Sequence, residues 1–293
     1  MRYSIEEICK EFKVSRQSYY KFSRRKEQQE IDEGKLIEEV QILRKRMPML
    51  GGRKLYYLLK REKVIPIGRD KFFELLRGNG LLIRPKRYRP KTTESRHRFR
   101  KYGNLIKDME IERVNQVHVS DITYLRTVDR FIYLFLITDL YSRLVLGEEL
   151  SKDLALESTL KALGMVQRKV GNLEGSIHHS DRGIQYCSNI YTDKLRSLGM
   201  KISMSEQANP YENAVAERIN GILKQEFMLD QIFPDFDAAQ KAVKEAIKTY
   251  NHNRPHMSLG YRTPEEVYNS GSGYQHINKE RKKVTKKERN NYY

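Results

Sequence analysis

Three acidic residues lie in sequence contexts that suit a site for divalent metal ions. Asp121 lies in "VSDITYL", a segment typical of a β-strand, where an unpaired charge would be costly. Asp181, in "IHHSDRGIQY", follows a short predicted strand, and Glu217 lies on a predicted helix that begins after Pro210. Converging carboxylates repel one another unless a cation lies between them, and oxygen ligands favour Mg²⁺ or Mn²⁺ over zinc.

The chemistry open to such a site is the transfer of a phosphate ester. Two metal ions about 4 Å apart can activate a water or hydroxyl on one side of a phosphate and stabilise the leaving oxygen on the other. The helix around Glu217 suits this role, because its polar side carries Asn213, Asn220 and Lys224 at positions −4, +3 and +7. Spacing alone leaves the alternative open, since any three of the 38 acidic residues could be singled out in this way.

The elements that must position these acids lie within residues 115–270. Three strand-like segments, "NQVHVSDITYLRT", "RFIYLFLITDL" and "SRLVLGEEL", are joined by short polar turns. A helix at 155–170, the strand "GSIHHS", a helix near 190–198 and the strand "MKISMS" follow. The nearly continuous apolar run of the second segment is typical of a sheet covered on both faces. The pattern predicts an α/β fold with a mixed sheet flanked by helices.

The N-terminal part of the chain is predicted to form small helical units. Ser4 and Glu7 form a capping box, and Ser15 can cap a second short helix, "RQSYYKF", which gives residues 1–30 the outline of a helix-turn-helix. Residues 31–82 contain three further predicted helices, "GKLIEEVQILRKRM", "GGRKLYYLLKRE" and "GRDKFFELLRGNGLL". They suit a DNA-binding bundle, although a plain packing role would give the same pattern.

Charge is distributed unevenly along the chain. Residues 1–114 have 31 Lys and Arg against 16 Asp and Glu, residues 115–270 have 18 against 20, and residues 271–293 have 7 against 2. A near-neutral core between basic segments favours a polyanionic partner. Nucleic acid is preferred over a membrane surface because no apolar run approaches the ~18 residues of a spanning helix. A merely soluble basic protein stays open as an alternative.

Two segments are predicted to lack a fold of their own. Residues 83–114 form a basic linker, and the tail at 271–293, which begins with "GSG", is expected to be partly disordered. The linker contains Arg84, Lys86, Arg87 and Arg89, which we interpret as contacts to the DNA backbone. The two cysteines, Cys9 and Cys187, form no CxxC pair, which fits a reducing cytoplasm and excludes a cysteine-based zinc site.

The sequence motifs around the three acids are more specific than the spacing between the acids. "VSDITYL", "HSDRGIQY" and "YENAVAERINGILKQE" occur in this order, with 35 residues between Asp181 and Glu217. Three further motifs occur outside this region: "GGRKLYYLL" and "GLLIRPKRYRP" before it and "YNHNRPHMSLGYRTPEEVY" after it. Over residues 4–270 the chain closely resembles the DDE transposases of bacterial insertion sequences, of the OrfB type, which share a catalytic core with retroviral integrases.

The resemblance implies a fold, a reaction and a set of ligands. The core would be RNase H-like, with a mixed five-stranded sheet. Asp121, Asp181 and Glu217 would be the catalytic residues and would bind two Mg²⁺ or Mn²⁺ ions. Water would first attack the phosphate at the end of the element. The freed 3′-hydroxyl would then attack a second phosphate, which either joins the ends or inserts the element into target DNA.

The resemblance also implies partners. Lys224 matches a lysine of the family and is expected to contact DNA near the cleaved end, although a solvated helix lysine would look the same. Arg182 and Arg254 are further candidates for DNA contacts. Double-stranded DNA, further copies of the chain and the product of an upstream reading frame are the expected partners.

Other residues near these motifs are interpreted without a catalytic role. His118 stands where relatives often have Trp, and His178 and His179 are expected to form hydrogen bonds rather than to bind metal. Glu212, five residues before Glu217, would point about 140° away round the helix, so we interpret it as a capping acid. Two alternative functions stay open: a DNA-binding regulator with a catalytically silent core, and a metal-dependent nuclease that cuts without joining.

Overall fold

The computed structural model describes residues 4–83, 98–205 and 213–271. The chain divides into two compact units. The first consists of Met1–Arg46 and Leu50–Arg84, and the second of Met47–Met49 and Pro85–Tyr293.

The first unit is helical. Its elements are α1 (Ile5–Glu11), α2 (Arg16–Arg46), α3 (Gly52–Arg61) and α4 (Arg69–Gly78). The predicted capping box is confirmed, because the Glu7 backbone N–H donates to Ser4 Oγ at 3.2 Å and the Ser4 N–H donates to Glu7 Oε2 at 2.7 Å. Each of the helices α2, α3 and α4 contributes buried apolar residues: Leu36, Val40, Leu55, Leu59, Phe72 and Leu76.

We predicted separate helices on either side of residues 30 and 31, and this prediction is wrong. The second short helix and the helix "GKLIEEVQILRKRM" are one element, the 31-residue helix α2. Gly34 lies inside it, and a single glycine costs only about 1 kcal/mol relative to alanine. Side-chain pairs one turn apart bridge the predicted gap: Lys26 with Glu30, Gln28 with Asp32 and Gln29 with Glu33. DNA binding by these helices stays a prediction.

The second unit is built on a mixed sheet. Its strands are β1 (Val117–Thr127), β2 (Phe131–Asp139), β3 (Val145–Ser151), β4 (Ile177–Ser180) and β5 (Lys201–Met204), in the order β3-β2-β1-β4-β5. Strand β2 is antiparallel to β1 and β3, whereas β4 is parallel to β1 and β5. This arrangement is the RNase H-like fold, as predicted. A sixth strand, β6 (Ile232–Phe233), pairs with the end of β1 and is too short for any sequence periodicity to reveal.

Helices cover both faces of this sheet. They are α5 (Leu156–Val170), α6 (Ile184–Cys187), α7 (Asn189–Ser197), α8 (Ala214–Glu226), α9 (Phe236–Asn253) and α10 (Pro264–Ser270), with a 3₁₀ turn at Met257–Leu259. Phe135 and Ile137 of β2 belong to the core that α5 and α7 cover. Leu134 and Leu136 alternate with them along the strand and are also buried, so the prediction of a sheet covered on both faces is confirmed.

Helix α5 approaches the sheet unusually closely at Gly147. A Cβ atom at this position would lie 2.3 Å from the backbone oxygen of Ala162. Only glycine allows this contact between β3 and α5.

The predicted basic linker is partly wrong. Residues 98–114 pack on the sheet. The Leu105 N–H donates to Ser203 Oγ at 2.9 Å, and Ile106 and Ile111 pack against a buried cluster that includes Val117 and Val119 of β1. Apolar residues among the charges account for this packing. Residues 84–97, with Arg84, Lys86, Arg87 and Arg89, lie outside the described residues, as does the predicted tail from residue 272 onwards. No helix in the described ranges is long and apolar enough to span a bilayer.

Candidate active site

Asp121 and Asp181 meet because their strands are neighbours. Strands β1 and β4 run parallel, with Val119 opposite His179. Two residues further along each chain lie Asp121, in the middle of β1, and Asp181, directly after β4. Neighbouring strands lie about 4.8 Å apart, so the register brings Asp121 close to Asp181, whose charge acts on the Asp121 carboxylate.

A tight turn fixes the carboxylate of Asp181. Its Oδ1 accepts a hydrogen bond of 2.9 Å from the Gly183 N–H. A Cβ atom at Gly183 would lie 3.0 Å from the same oxygen, so glycine leaves room for this turn. The turn leads directly into α6.

Two asparagines attach helix α8 to strand β1. Asn213 Nδ2 donates to the Ser120 backbone oxygen at 3.2 Å, and Asn220 Nδ2 donates to Asp121 Oδ2 at 2.7 Å. Asn213 is the N-cap residue and the helix begins at Ala214, a few residues later than predicted. Glu217 lies between the two asparagines on the same side of the helix, so this side faces β1. The predicted polar side of α8 is confirmed; Glu212 lies outside the described residues.

The carboxylates repel one another. Burial raises the pKa of Asp121 to about 7, and the charges of Asp181 and Glu217 raise it too, against the hydrogen bonds from Asn220 and the Ile122 N–H. Partial burial and the charge of Asp181 likewise raise the pKa of Glu217, although this side chain is exposed. Like charges held close together favour protonation or the binding of a cation.

The donor set has the chemistry of a site for a hard cation, because it consists of carboxylate and amide oxygens. Among the described residues, however, no three His, Cys, Asp or Glu side chains are already arranged to hold a metal ion. One oxygen of Asp121 accepts from Asn220, and one of Asp181 accepts from Gly183. Metal binding by Asp121, Asp181 and Glu217 therefore stays a prediction.

Comparisons with known proteins identify the family of the chain. Two models described as "Integrase core domain" match residues 111–210 and 198–264. The insertion element IS600 31 kDa protein of Shigella sonnei is 35% identical over 266 residues, which cover 88% of this chain and 96% of that protein. The transposase of insertion sequence element IS904 from Lactococcus lactis subsp. lactis is 33% identical over 204 residues, which cover 65% and 77%. The chain belongs to the insertion-sequence transposases with an integrase core.

Among solved structures, the catalytic core domain of HTLV-2 integrase in complex with magnesium is similar to the chain. The match has a TM-score of 0.42 and 20% identity, and it covers 53% of this chain and 96% of the integrase domain.

Lys224, the expected DNA contact on α8, is not a solvated lysine. It is only 8% exposed, and its Nζ lies 4.2 Å from the centre of the Tyr124 ring. Burial lowers its pKa to about 8, although Asp121 acts to raise it. The cation therefore lies against the aromatic ring two helical turns from Glu217, and the sequence contains no signal for its partner Tyr124.

The prediction that Arg254 contacts DNA is wrong. Its side chain is 2% exposed and forms a bidentate ion pair with Glu226, with Nε–Oε2 at 2.9 Å and Nη2–Oε1 at 2.8 Å. The guanidinium also lies over the Tyr250 ring. Such a buried pair joins the end of α8 to the end of α9. Arg182 follows Asp181 and is partly exposed, so its contact with DNA stays a prediction.

The histidines beside the acids form hydrogen bonds, as predicted. His178 Nε2 lies 2.9 Å from the Tyr191 hydroxyl, and His179 Nδ1 lies 2.8 Å from Ser203 Oγ. Burial lowers the pKa of His178 to about 3, so its ring is neutral. Asp139, which ends β2, accepts from the backbone N–H and the hydroxyl of Ser142, so it belongs to a turn and not to the site.

The sequence did not predict a hydrogen bond between the hydroxyl groups of Ser120 and Tyr186, close to the acids. Ser120 Oγ donates to the Tyr186 hydroxyl at 2.9 Å, and both residues are buried. Tyr186 lies five residues after Asp181 on α6, and only the fold brings it under β1.

Proposed function

We propose that this chain is a polynucleotidyl transferase that cuts DNA at the ends of an insertion sequence and joins those ends to target DNA. The observation that carries the proposal is the attachment of α8 to β1 by Asn213 and Asn220. It holds Glu217 on the side of the helix that faces Asp121, which itself lies beside Asp181.

Asp121, Asp181 and Glu217 would hold Mg²⁺ or Mn²⁺, and two ions fit the reaction. The mutual repulsion that raises the pKa of Asp121 and of Glu217 supports a cation between them. When bound, the ions supply activation of the attacking hydroxyl and stabilisation of the leaving oxygen. The residues of the chain hold these ligands and orient the phosphate.

The nucleophile in both steps comes from outside the protein. The serine hydroxyls next to the acids are engaged internally, since Ser120 Oγ donates to Tyr186 and Ser180 Oγ donates to the Asp181 backbone oxygen. Water attacks first and cuts the end of the element. The 3′-hydroxyl that this cut frees then attacks the target phosphate, so that one phosphodiester bond forms as another breaks.

DNA is the partner that this reaction requires. We assign Lys224 and Arg182, which lie beside the acids, to the cleaved end, and the basic residues Arg84, Lys86, Arg87 and Arg89 to the DNA backbone. The N-terminal helices α1 to α4 would recognise the ends of the element. Joining two ends requires further copies of the chain on the DNA, and an upstream-frame protein would be a second partner. The setting would be the cytoplasm.

The test uses the full chain, Mg²⁺ and a duplex that carries the inverted repeat flanking the gene. The parent is expected to give cleaved and then joined strands. Glu217→Gln is expected to give neither product, while its binding in a gel shift stays within about threefold of the parent. Glu157→Gln, at an exposed acid in the first turn of α5, is the matched control and should react like the parent.

Three outcomes would contradict the proposal. Joining by Glu217→Gln would remove Glu217 from the site. Cleavage by the parent without any joining would make the chain a nuclease. Binding by the parent without either product would make it the DNA-binding regulator with a silent core.

A further inference from the structure

A basic groove opens at the edge of the sheet, away from the three acids. It lies between strand β3 and helices α5 and α9 and has a volume of about 400 Å³. We call it the edge groove. Val145 and Leu146 of β3 form its floor, Arg168 and Lys169 of α5 one wall, and Lys244 and Lys248 of α9 the other.

The four basic side chains of the edge groove are exposed and give the groove a net positive charge. Within the described ranges none of them forms an ion pair with a carboxylate. Glu148 is the acid that lines the groove; burial raises its pKa, while the charges of Lys169 and Lys244 act to lower it. The groove therefore has an excess of about three positive charges when Glu148 is ionised, although residues 115–270 hold 18 Lys and Arg against 20 Asp and Glu.

The other polar residues of the groove are already paired. Asn251 exchanges two hydrogen bonds of 3.0 Å with the backbone of Val145, and His252 pairs with Glu265. These contacts hold α9 against β3, and the close contact of Gly147 with Ala162 holds α5 there, so the cations of both helices line one groove. Like charges on facing walls repel one another, and a polyanion between them would remove that repulsion.

The edge groove is separate from the candidate active site. The strand order places β3 two strands away from β1, at about 10 Å in the plane of the sheet. None of the three acids lines the groove, so a phosphate bound in the groove is not the one on which the acids act.

We infer that the edge groove is a second DNA site, which binds the phosphodiester backbone of duplex DNA without reading its sequence. This inference rests on the proposed function, because it takes DNA to be the substrate. Arg and Lys side chains that contact phosphates supply affinity that does not depend on base sequence. Duplex beyond the reacting phosphate, in the flanking or target DNA, is the ligand that this charge pattern fits.

The test measures how salt weakens the binding of a duplex that lacks the inverted repeat, with no Mg²⁺ present. Each phosphate contact contributes a slope of about 0.9 to a plot of log affinity against log salt concentration. Lys244→Gln/Lys248→Gln is expected to lower this slope by about 1.8. Between 50 and 200 mM salt, the affinity of the parent should therefore fall about tenfold more than that of the variant.

Two further variants make the comparison specific. Arg168→Gln/Lys169→Gln, on the other wall, is expected to lower the slope by a similar amount. Lys107→Gln/Lys201→Gln removes two exposed lysines of the same unit outside the groove and should leave the slope close to that of the parent. Thermal melting of each variant checks that the fold is retained.

The outcomes separate this inference from the proposed function. Equal slopes for both groove variants and the control variant would overturn the inference, even if the parent cuts and joins DNA. An altered oligomeric state with an unchanged slope would also overturn it, because the groove would then be an interface between proteins. A lower slope in a protein that neither cuts nor joins DNA would support the groove as a DNA site and count against the proposed reaction alone.

Discussion

Asn220 Nδ2 lies 2.7 Å from Asp121 Oδ2, and this hydrogen bond joins helix α8 to the middle of strand β1. The two residues are 99 positions apart in the chain. The bond orients one carboxylate and also places the helix that carries Glu217. Asn220 therefore contacts Asp121 directly and helps to fix the position of Glu217.

Replacing Asn220 should impair the reaction more than DNA binding. In Asn220→Ala, Asp121 loses a hydrogen bond to its charged form, which is worth about 1.5–3 kcal/mol. We expect DNA cleavage to slow by about ten- to a hundredfold, with duplex affinity within about threefold of the parent. Single-turnover cleavage and gel shifts measure the two effects. Asn253→Ala, at the exposed end of α9, is the control; an equal loss in both variants would contradict the positioning role.

Protons should compete with Mg²⁺ for Asp121. Its pKa is raised to about 7, so the ionised fraction of this carboxylate falls about tenfold between pH 8 and pH 6. The apparent Mg²⁺ affinity of the full chain, measured by titration calorimetry, should fall by a similar factor. The same shift makes the metal-free fold lose stability as the pH rises from about 3.8 to about 7, because Asp121 ionises near 3.8 in the unfolded chain and near 7 in the folded one. A Mg²⁺ affinity that does not change over this range would remove Asp121 as a ligand.

The pair between Arg254 and Glu226 should matter for stability and not for DNA. Arg254→Ala leaves Glu226 partly buried without its cation, and we expect unfolding to become easier by about 3–5 kcal/mol. Urea denaturation of the parent and the variant measures this loss. The double variant Arg254→Met/Glu226→Gln removes both charges and should recover part of it. A change in the salt dependence of DNA binding by folded Arg254→Ala, with little loss of stability, would restore Arg254 as a DNA contact.

The buried His118 should make the second unit sensitive to acid. Burial lowers its pKa from 6.5 to about 4, so the unfolded chain takes up the proton more readily. The neutral His118 ring therefore contributes its full stabilisation above pH 6.5, and this stabilisation is lost as the pH falls towards 4. We expect His118→Phe to gain about 2 kcal/mol relative to the parent between pH 7 and pH 5. Urea denaturation at both pH values tests this, and a difference that does not change with pH would show that His118 is not buried in the neutral form.

Local patterns in the sequence predicted much of the fold and most of the candidate site. The apolar runs of β1, β2 and β3, the position of Asp121 within β1 and the end of β4 before Asp181 follow from alternation and turn residues, which depend on near neighbours only. The polar side of α8 follows in the same way from the helical repeat. The local pattern predicted a break in the helix before Gly34, which α2 does not have. Side-chain pairs one turn apart continue through this region, and a single glycine did not end the helix.

What this chain's sequence determined by itself is the kind of each element and the identity of its acids, because both depend on residues close together along the chain. Only the tertiary structure decided which distant groups meet: Asn220 with Asp121, Arg254 with Glu226, and Lys224 with Tyr124. It also decided that residues 98–114 pack on the sheet and that the cations of α5 and α9 share one groove. The physical reason is that these contacts depend on how strands and helices pack, and packing joins residues that no local repeat relates.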